Sequence, residues 1–202
     1  MTVQVLISMI VGYLLGCIQS AYIIGRTAGK LDIRDHGSGN AGASNITSTL
    51  GLKYGFLVGL VDLLKGAFSV WIITWIYPEQ PALAYLAGMM AVIGHIFPFY
   101  LKFRGGKGVA ALVGMMLGVD WRLGLLFALL VAVPALLTDY IVAGSFSTFI
   151  ALPIVTFFSG QSILLILVSL GLAVLCFYLH RGNIQRILAK EELKISEVLF
   201  KK

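Results

Sequence analysis

The sequence predicts an all-α integral membrane protein, built as a single polytopic domain over residues 1–202. Of the 202 residues, 59% are hydrophobic and only 12% are charged, and the mean hydropathy is +0.95. Soluble domains are typically about 45–50% apolar and about 25% charged. These values exclude an ordinary cytosolic globule, a disordered chain and a fibrous repeat. The apolar residues also form blocks, most of which are long enough to cross a hydrocarbon core of about 30 Å as a helix.

Seven apolar blocks predict seven transmembrane helices. They are residues 3–24, 54–76, 82–101, 109–119, 123–137, 140–158 and 163–179. The fourth and fifth blocks are shorter than a straight crossing requires, so some spans are expected to be short or broken. The first block is expected to be retained as a helix, because no Lys or Arg precedes it and no small-residue cleavage site follows it.

The basic residues predict the orientation in the membrane. The chain carries 15 Lys and Arg against nine Asp and Glu, a formal net charge of +6. With seven spans, the loops after the first and third spans share a side with the C-terminal tail. All the Lys and Arg residues lie on that side except Lys65, within the second span, and Arg122. The positive-inside rule therefore places the N-terminus outside and the C-terminus in the cytoplasm, and the positive charge needs no nucleic-acid partner.

The first candidate site is a glycine-rich stretch, HGSGNAGASN at residues 36–45, in the longest loop. Glycines permit positive φ and close backbone approach, so successive N–H groups can form a concave anion nest. A dinucleotide-binding fingerprint is rejected, because no strand precedes the glycines and membrane spans flank them. A flexible linker remains the alternative. The candidate anion-binding residues are Ser38, Gly39, Asn40, Gly42 and Asn45.

The second candidate site, HIFPFYLKFRGGKG at residues 95–108, combines cations with glycines at the start of the fourth span. A helix N-terminus with adjacent cations can bind an anion. Because the fourth span is short, either the helix is shortened or Lys107 lies below the bilayer surface. A simple positively charged membrane anchor is the alternative, and a Walker P-loop is excluded by the spacing. The candidate residues are Arg104, Gly105, Gly106, Lys107 and Gly108.

The third candidate site is split between the sixth span and the segment after the seventh. Ser145 lies near the cytoplasmic end of the sixth span, and His180, Arg181 and Asn183 follow the seventh. Together their side chains supply a hydroxyl, an imidazole that can act as acid or base, a guanidinium group and an amide. The alternatives are a local hydrogen bond from Ser145 to its own helix and a headgroup contact for Arg181.

Three ionisable residues within the spans favour a structural role. Asp62 and Lys65 stand three residues apart on one helix face, so a structural ion pair is preferred to a polar pathway. His95 is expected to be a satisfied structural residue rather than a catalyst, and Pro98 to end or kink the third span. Cys17 and Cys176 are expected to be buried small hydrophobes. No metal site and no cofactor are predicted.

Three stretches carry a resemblance to a known family. GSGNAGASN, HIFPFYLKFRGGKGVA and HRGNIQR resemble the signature motifs of the PlsY family, and the resemblance in size, spans and motif order covers the whole chain. The family consists of bacterial membrane glycerol-3-phosphate acyltransferases that use acyl phosphate. Small departures are Ser44, where threonine is common, and Tyr100, where leucine is common.

The resemblance implies one acyl transfer. A fatty acyl group would move from acyl phosphate to the 1-hydroxyl of sn-glycerol 3-phosphate, which gives 1-acylglycerol 3-phosphate (lysophosphatidic acid) and inorganic phosphate. This is the first acylation of phospholipid synthesis, at the bacterial inner membrane with the site facing the cytoplasm. The expected partners are acyl phosphate, glycerol 3-phosphate, membrane lipid and the enzyme that makes acyl phosphate. A transporter for a phosphorylated solute is the alternative, although the sequence shows no convincing internal repeat.

The roles assigned within this reaction follow from the charges of the substrates. Residues of the first stretch would hold the acyl-phosphate head, and Lys107 with Arg104 would neutralise phosphate charge. Ser145, His180 and Asn183 would orient glycerol 3-phosphate or the reacting carbonyl. No covalent intermediate is expected, because acyl phosphate is already activated. His180 and a substrate phosphate oxygen both remain candidates for the proton acceptor, and the phosphate is preferred.

Overall fold

The computed structural model describes residues 2–199, with side chains as far as residue 197, and this part of the chain contains helices and no strand. Two short 3-10 turns cover Ile33–Asp35 and Phe99–Leu101. The α-helices in this part of the chain are α1 (Val3–Gly16), α2 (Ser20–Ala28), α3 (Ala43–Leu50), α4 (Leu52–Ile76), α5 (Pro81–Ile96), α6 (Val109–Val119), α7 (Trp121–Thr138), α8 (Ile141–Phe158), α9 (Ile163–Leu179), α10 (Arg181–Leu188) and α11 (Ile195–Leu199).

Five segments of the described chain are long and apolar enough to cross a membrane, or six if the bent pair α9–α10 counts as one span. They are Val3–Ala28, Leu52–Ile76, Pro81–Leu101, Trp121–Thr138 and Ile141–Phe158. The remaining apolar helix, α6, has 11 residues and is too short for a straight crossing. The expectation of an all-helical membrane protein with a short fourth segment is thus confirmed, whereas the count of seven crossings stays a prediction.

The first span is broken, which the sequence did not locate. A continuous helix was expected over residues 3–24, but α1 ends at Gly16 and α2 starts at Ser20. The carbonyl oxygen of Cys17 accepts a hydrogen bond from the hydroxyl of Tyr100 (2.8 Å), and that of Ile18 accepts one from Lys65 Nζ (2.7 Å). These distant donors satisfy carbonyls that lipid could not, so the break is tolerated without proline.

The chain forms two compact units that divide between Gly124 and Leu125. In the N-terminal unit, helices approach closely through glycine. A Cβ atom at Gly12 of α1 would overlap the carbonyl oxygen of Ala87 in α5, and one at Gly114 of α6 would overlap that of Leu63 in α4. Such small-residue contacts are the usual way for helices to pack in lipid, where apolar burial gives little drive for association.

In the C-terminal unit, α8 and α9 pack through aromatic rings. Phe146 stacks on Phe177 with ring centroids 4.7 Å apart. The carboxylate of Asp139, which lies between α7 and α8, accepts hydrogen bonds from the backbone N–H (2.9 Å) and the hydroxyl (2.5 Å) of Ser196. The hydrogen bond from Ser196 lowers the pKa of Asp139. The α7–α8 connection and the C-terminal tail therefore lie at the same end of this unit.

Candidate active site

The glycine-rich stretch folds around the side chain of Asn45. This residue was expected in a loop, but α3 begins at Ala43, so Asn45 lies in the first turn of a helix and is buried. Its Oδ1 accepts from the backbone N–H of Ser38 (3.0 Å). Its Nδ2 donates to the carbonyls of Ile33 (3.0 Å), His36 (2.9 Å) and Asn40 (2.9 Å). The amide of Asn45 thus supports the loop backbone from within.

The same loop presents backbone and small side chains outwards. Gly37 and Gly39 have positive φ values of 56° and 70°, which favour glycine. Ser38 and Gly39 are exposed, and Asn40 is half-buried. Gly42 caps α3 without a side-chain hydrogen bond, so the first N–H groups of that helix have no side-chain acceptor at the cap. This arrangement suits an anion better than a plain linker would.

The second loop turns back on the end of α5. The N–H of Gly105 donates to the carbonyl of Ile96 (3.1 Å), and the N–H of Gly106 donates to that of His95 (3.1 Å). A Cβ atom at Gly105 would overlap the His95 carbonyl oxygen, and one at Gly106 would overlap His95 Nε2 and lie 2.8 Å from the carbonyl oxygen of Ala41. Neither position accommodates a side chain, and Gly106 packs directly against the first loop.

A second contact joins the two loops through the side chain of Arg34. Arg34 Nη1 donates to the carbonyl of Leu101 in the second loop (3.1 Å). Its Nε and Nη2 form a two-point pair with the Asp32 carboxylate, at 2.9 and 2.7 Å. The hydrogen bond from Arg34 lowers the pKa of Asp32 to about 2, so the pair stays charged at neutral pH. The two loops therefore lie at the same end of the N-terminal unit.

Lys107 stands where these elements meet. It follows Gly106, is half-buried, and precedes Gly108, whose φ of 85° turns the chain into α6. The cap at Gly108 has no side-chain hydrogen bond, so the ammonium group and the start of α6 can act on one anion. Arg104 is exposed on the same loop. The first two predicted clusters are thus brought together.

His180 has a defined tautomer within the C-terminal unit. The side chain is buried, and its Nδ1 lies 2.8 Å from the carbonyl oxygen of Cys176. A carbonyl can only accept, so Nδ1 carries the proton and Nε2 holds the lone pair of the neutral ring. Cys176 Sγ lies 3.4 Å from His180 Nδ1 and 3.8 Å from the Ser145 carbonyl. Ser145 and His180 are therefore close neighbours.

The other residues of the third cluster have partners that the sequence did not indicate. Asn183 Nδ2 donates to one oxygen of Glu192 (2.5 Å), whose second oxygen accepts from Arg186 Nε (2.7 Å). Arg181 is exposed and its guanidinium lies 4.1 Å from the ring centroid of Tyr178. Ser145 Oγ makes a long bond of 3.4 Å to the carbonyl four residues earlier in α8. Glu192 thus organises the end of α10.

No group of three or more His, Cys, Asp or Glu residues that could hold a metal ion occurs in the part of the chain that the structure describes.

A family model described as glycerol-3-phosphate acyltransferase matches residues 6–190. The chain belongs to the glycerol-3-phosphate acyltransferase family. It is therefore an integral membrane acyltransferase that acts on glycerol 3-phosphate, and an enzyme of phospholipid synthesis rather than a solute transporter.

Individual relatives agree with this family. The glycerol-3-phosphate acyltransferase of Bacillus subtilis is 42% identical over 189 residues, which cover 92% of this chain and 95% of the relative. Glycerol-3-phosphate acyltransferase 1 of Oceanobacillus iheyensis is 37% identical over 204 residues, which cover 97% of each chain.

Two solved structures share the fold. Both are crystal structures of PlsY (YgiH), an integral membrane glycerol 3-phosphate acyltransferase, and both match 97% of this chain and 98% of their own. The glycerol 3-phosphate form gives a TM-score of 0.85 at 33% identity, and the lysophosphatidic acid form gives 0.80 at 32%.

The internal support of the first loop can be tested at Asn45. We expect Asn45→Ala to lower kcat/KM on the order of 10²-fold, because displacing a binding loop by about 1 Å can cost that much. Turnover of purified enzyme in detergent measures the effect, with the unfolding midpoint recorded alongside. Ser48→Ala is the matched control, since Ser48 is exposed on the same helix and bonds only to the Asn45 carbonyl. Wild-type turnover in Asn45→Ala would contradict the assignment.

Proposed function

We propose that this acyltransferase uses acyl phosphate as donor and acylates the 1-hydroxyl of sn-glycerol 3-phosphate, releasing lysophosphatidic acid and inorganic phosphate. The observation that carries the proposal is the contact of the glycine-rich first loop with the Gly105–Gly106–Lys107 segment. Both substrates are phosphates, and this contact assembles backbone N–H groups, two helix N-termini and cations at one end of the N-terminal unit. The named glycerol 3-phosphate and lysophosphatidic acid forms of the related PlsY support the acceptor and the product.

The first loop holds the acyl-phosphate head in this scheme. The contacts come from the exposed Ser38 and Gly39, the half-buried Asn40 and the buried cap residue Gly42, with the N–H groups at the start of α3. Asn45 acts through the loop, because its own amide bonds to the loop backbone. The acyl chain, being apolar, extends among the membrane helices.

The second loop stabilises the phosphate as it leaves. The attacking hydroxyl oxygen bonds to the acyl carbon, the bond from that carbon to the phosphate oxygen breaks, and the proton of the hydroxyl ends on phosphate. Negative charge therefore grows on the leaving oxygen, where Lys107 and Arg104 stabilise it together with the N–H groups that follow Gly108 at the start of α6. The N–H groups of Gly105 and Gly106 bond to the end of α5 and hold the loop in place. The donor is a mixed anhydride and needs no further activation, so transfer proceeds without a covalent enzyme intermediate.

The third cluster orients the acceptor. His180 carries its proton on Nδ1, so Nε2 can accept a hydrogen bond from the glycerol hydroxyl. Ser145, Asn183 and Arg181 complete the contacts to glycerol 3-phosphate in this proposal. A phosphate oxygen of the substrate takes the proton, since the reaction ends with that proton on phosphate and no carboxylate is required. Direct proton removal by His180 is the alternative.

The proposed orientation has seven crossings, with the N-terminus outside and the C-terminus in the cytoplasm of a bacterium. Two contacts, one within each unit, agree with alternating spans. Arg34 and Leu101 join the loops that follow the first and third spans, and Asp139 and Ser196 join the segments that follow the fifth and seventh. Loops separated by two successive crossings lie on the same side, so each contact agrees with alternating crossings within its own unit. The cytoplasmic side is proposed from the distribution of Lys and Arg, and there the enzyme that makes acyl phosphate can deliver the donor.

The stabilising charge can be tested at Lys107. We expect Lys107→Ala to lower kcat/KM by about 10²-fold or more, because the growing charge on the leaving phosphate loses its cation. Phosphate release from acyl phosphate and glycerol 3-phosphate in detergent measures it. Lys102→Asn is the matched control: it removes an exposed charge from the same loop, and asparagine tolerates the left-handed backbone at that position. Near-normal turnover in Lys107→Ala would remove this residue from the site.

The proton acceptor can be tested at His180. If a substrate phosphate takes the proton, His180→Ala loses its orienting contact and turnover falls by roughly tenfold, whereas loss of a general base costs about 10²–10⁴-fold. The same phosphate-release assay, run across a range of pH, separates the two outcomes. A near-total loss in a variant that unfolds at the wild-type temperature would make His180 the base.

A further inference from the structure

A buried polar network lies directly beneath the second loop, within the N-terminal unit. Its centre is the ammonium group of Lys65, which contacts Asp62 Oδ1 (2.8 Å), the Ile18 carbonyl oxygen (2.7 Å) and His95 Nδ1 (2.7 Å). A lysine ammonium has three donors, and here each has one acceptor. The side chains of Asp62, Lys65 and His95 are at most 4% exposed. The ion pair expected from the sequence is thus part of a larger set.

The assignment of donors fixes the state of the His95 ring. Lys65 can only donate, so Nδ1 accepts and the proton of the neutral ring is on Nε2. Nε2 faces Gly106, where no side chain fits between them. The carbonyl oxygen of His95 accepts from the N–H of Gly106 (3.1 Å) and from Nε2 of Gln19 (3.0 Å). His95 therefore meets Gly106 through both its ring and its backbone.

This arrangement is costly for a purely structural element. Buried ion pairs often contribute no more stability than apolar residues of the same volume, and charges in a membrane are expensive. The amide oxygen of Gln19 is buried beside the network and has no hydrogen-bond partner among the described residues. Sites at which a protein retains buried charges or an unpaired buried polar atom are often functional. The contacts of His95 with Gly106, the residue before Lys107, indicate what that function is.

We propose that Asp62, Lys65 and His95 are positioning residues for acyl transfer, which set the backbone of Gly106 and thereby the place of Lys107. Asp62 and Lys65 hold the His95 ring in one tautomer and orientation. His95 in turn fixes Gly106 against the first loop. The inference rests on the proposed role of the second loop in binding substrate phosphate.

The first test uses His95→Asn. The asparagine carbonyl can take the place of Nδ1 and accept from Lys65, whereas the N–H that faces Gly106 is lost. Because Lys107 would be misplaced, we expect kcat/KM to fall at least about tenfold while the unfolding midpoint in detergent stays close to that of the wild type. Ser69→Ala is the matched control, because Ser69 is buried one turn further along α4 and bonds only to its own helix. Wild-type kcat/KM in His95→Asn would overturn the proposal.

A double-variant cycle shows whether His95 acts through Lys107. In a Lys107→Ala background, His95→Asn should cause less than a twofold further loss, since the group that it positions is gone. Fully multiplicative losses would overturn the inference. Failure of the proposed function would give a different result. Near-normal turnover in Lys107→Ala alone would remove the second loop from catalysis, whatever the effect of His95→Asn.

The charged pair gives an independent measurement, which also decides the case if His95→Asn does not fold. Lys65→Met alone leaves the Asp62 carboxylate buried without its ammonium partner, although the Ser20 hydroxyl still donates to it (2.8 Å), and it should lower the unfolding midpoint strongly. Asp62→Asn combined with Lys65→Met removes both charges and should recover much of that stability. We expect this double variant to keep a kcat/KM at least tenfold below wild type. Recovery of both the midpoint and the wild-type kcat/KM would show that the pair is a stability element only.

Discussion

The packing of Gly106 against the carbonyl oxygen of Ala41 is the contact on which the candidate site depends. It brings two loops that are separated by two long helices into backbone contact, which only glycine at this position allows. Phosphate groups are bound well by such surfaces, because backbone N–H groups and helix N-termini supply positive potential without reorganising when the ligand arrives. Lys107 then adds a full charge beside this surface rather than forming it.

Two different supports hold the contact in place. On the outer side, Arg34 is tied to the Asp32 carboxylate and holds the second loop by one carbonyl. On the membrane side, the carbonyl oxygen of His95 accepts a hydrogen bond from the N–H of Gly106. The His95 ring is held in turn by the buried ammonium group of Lys65. The outer pair is partly buried, with 18% of the Arg34 side chain and 9% of the Asp32 side chain exposed. The inner one is in apolar surroundings, where an ammonium must satisfy every donor or destabilise the protein.

The sequence predicted the features that depend on composition and local chemistry. The membrane class, the short α6 and the end of a helix before Pro98 all follow from apolar length and proline geometry. It did not predict features whose partners are far along the chain. The break after Gly16 depends on donors from Tyr100 and Lys65, and neither glycine nor proline marks residues 17–19. The sequence predicts Asn45 as a ligand contact and does not indicate the bonds of its amide to the loop backbone, because these form only once α3 is folded.

In the proposed site both loops share one bound phosphate group, and a structure with a non-hydrolysable acyl phosphonate would show this arrangement. We expect the phosphonate oxygens to accept hydrogen bonds from the backbone N–H groups at the start of α3 and to lie within ion-pair distance of the Lys107 ammonium. A phosphonate that contacts only one of the two loops, or that binds at the opposite end of the N-terminal unit, would contradict the shared site.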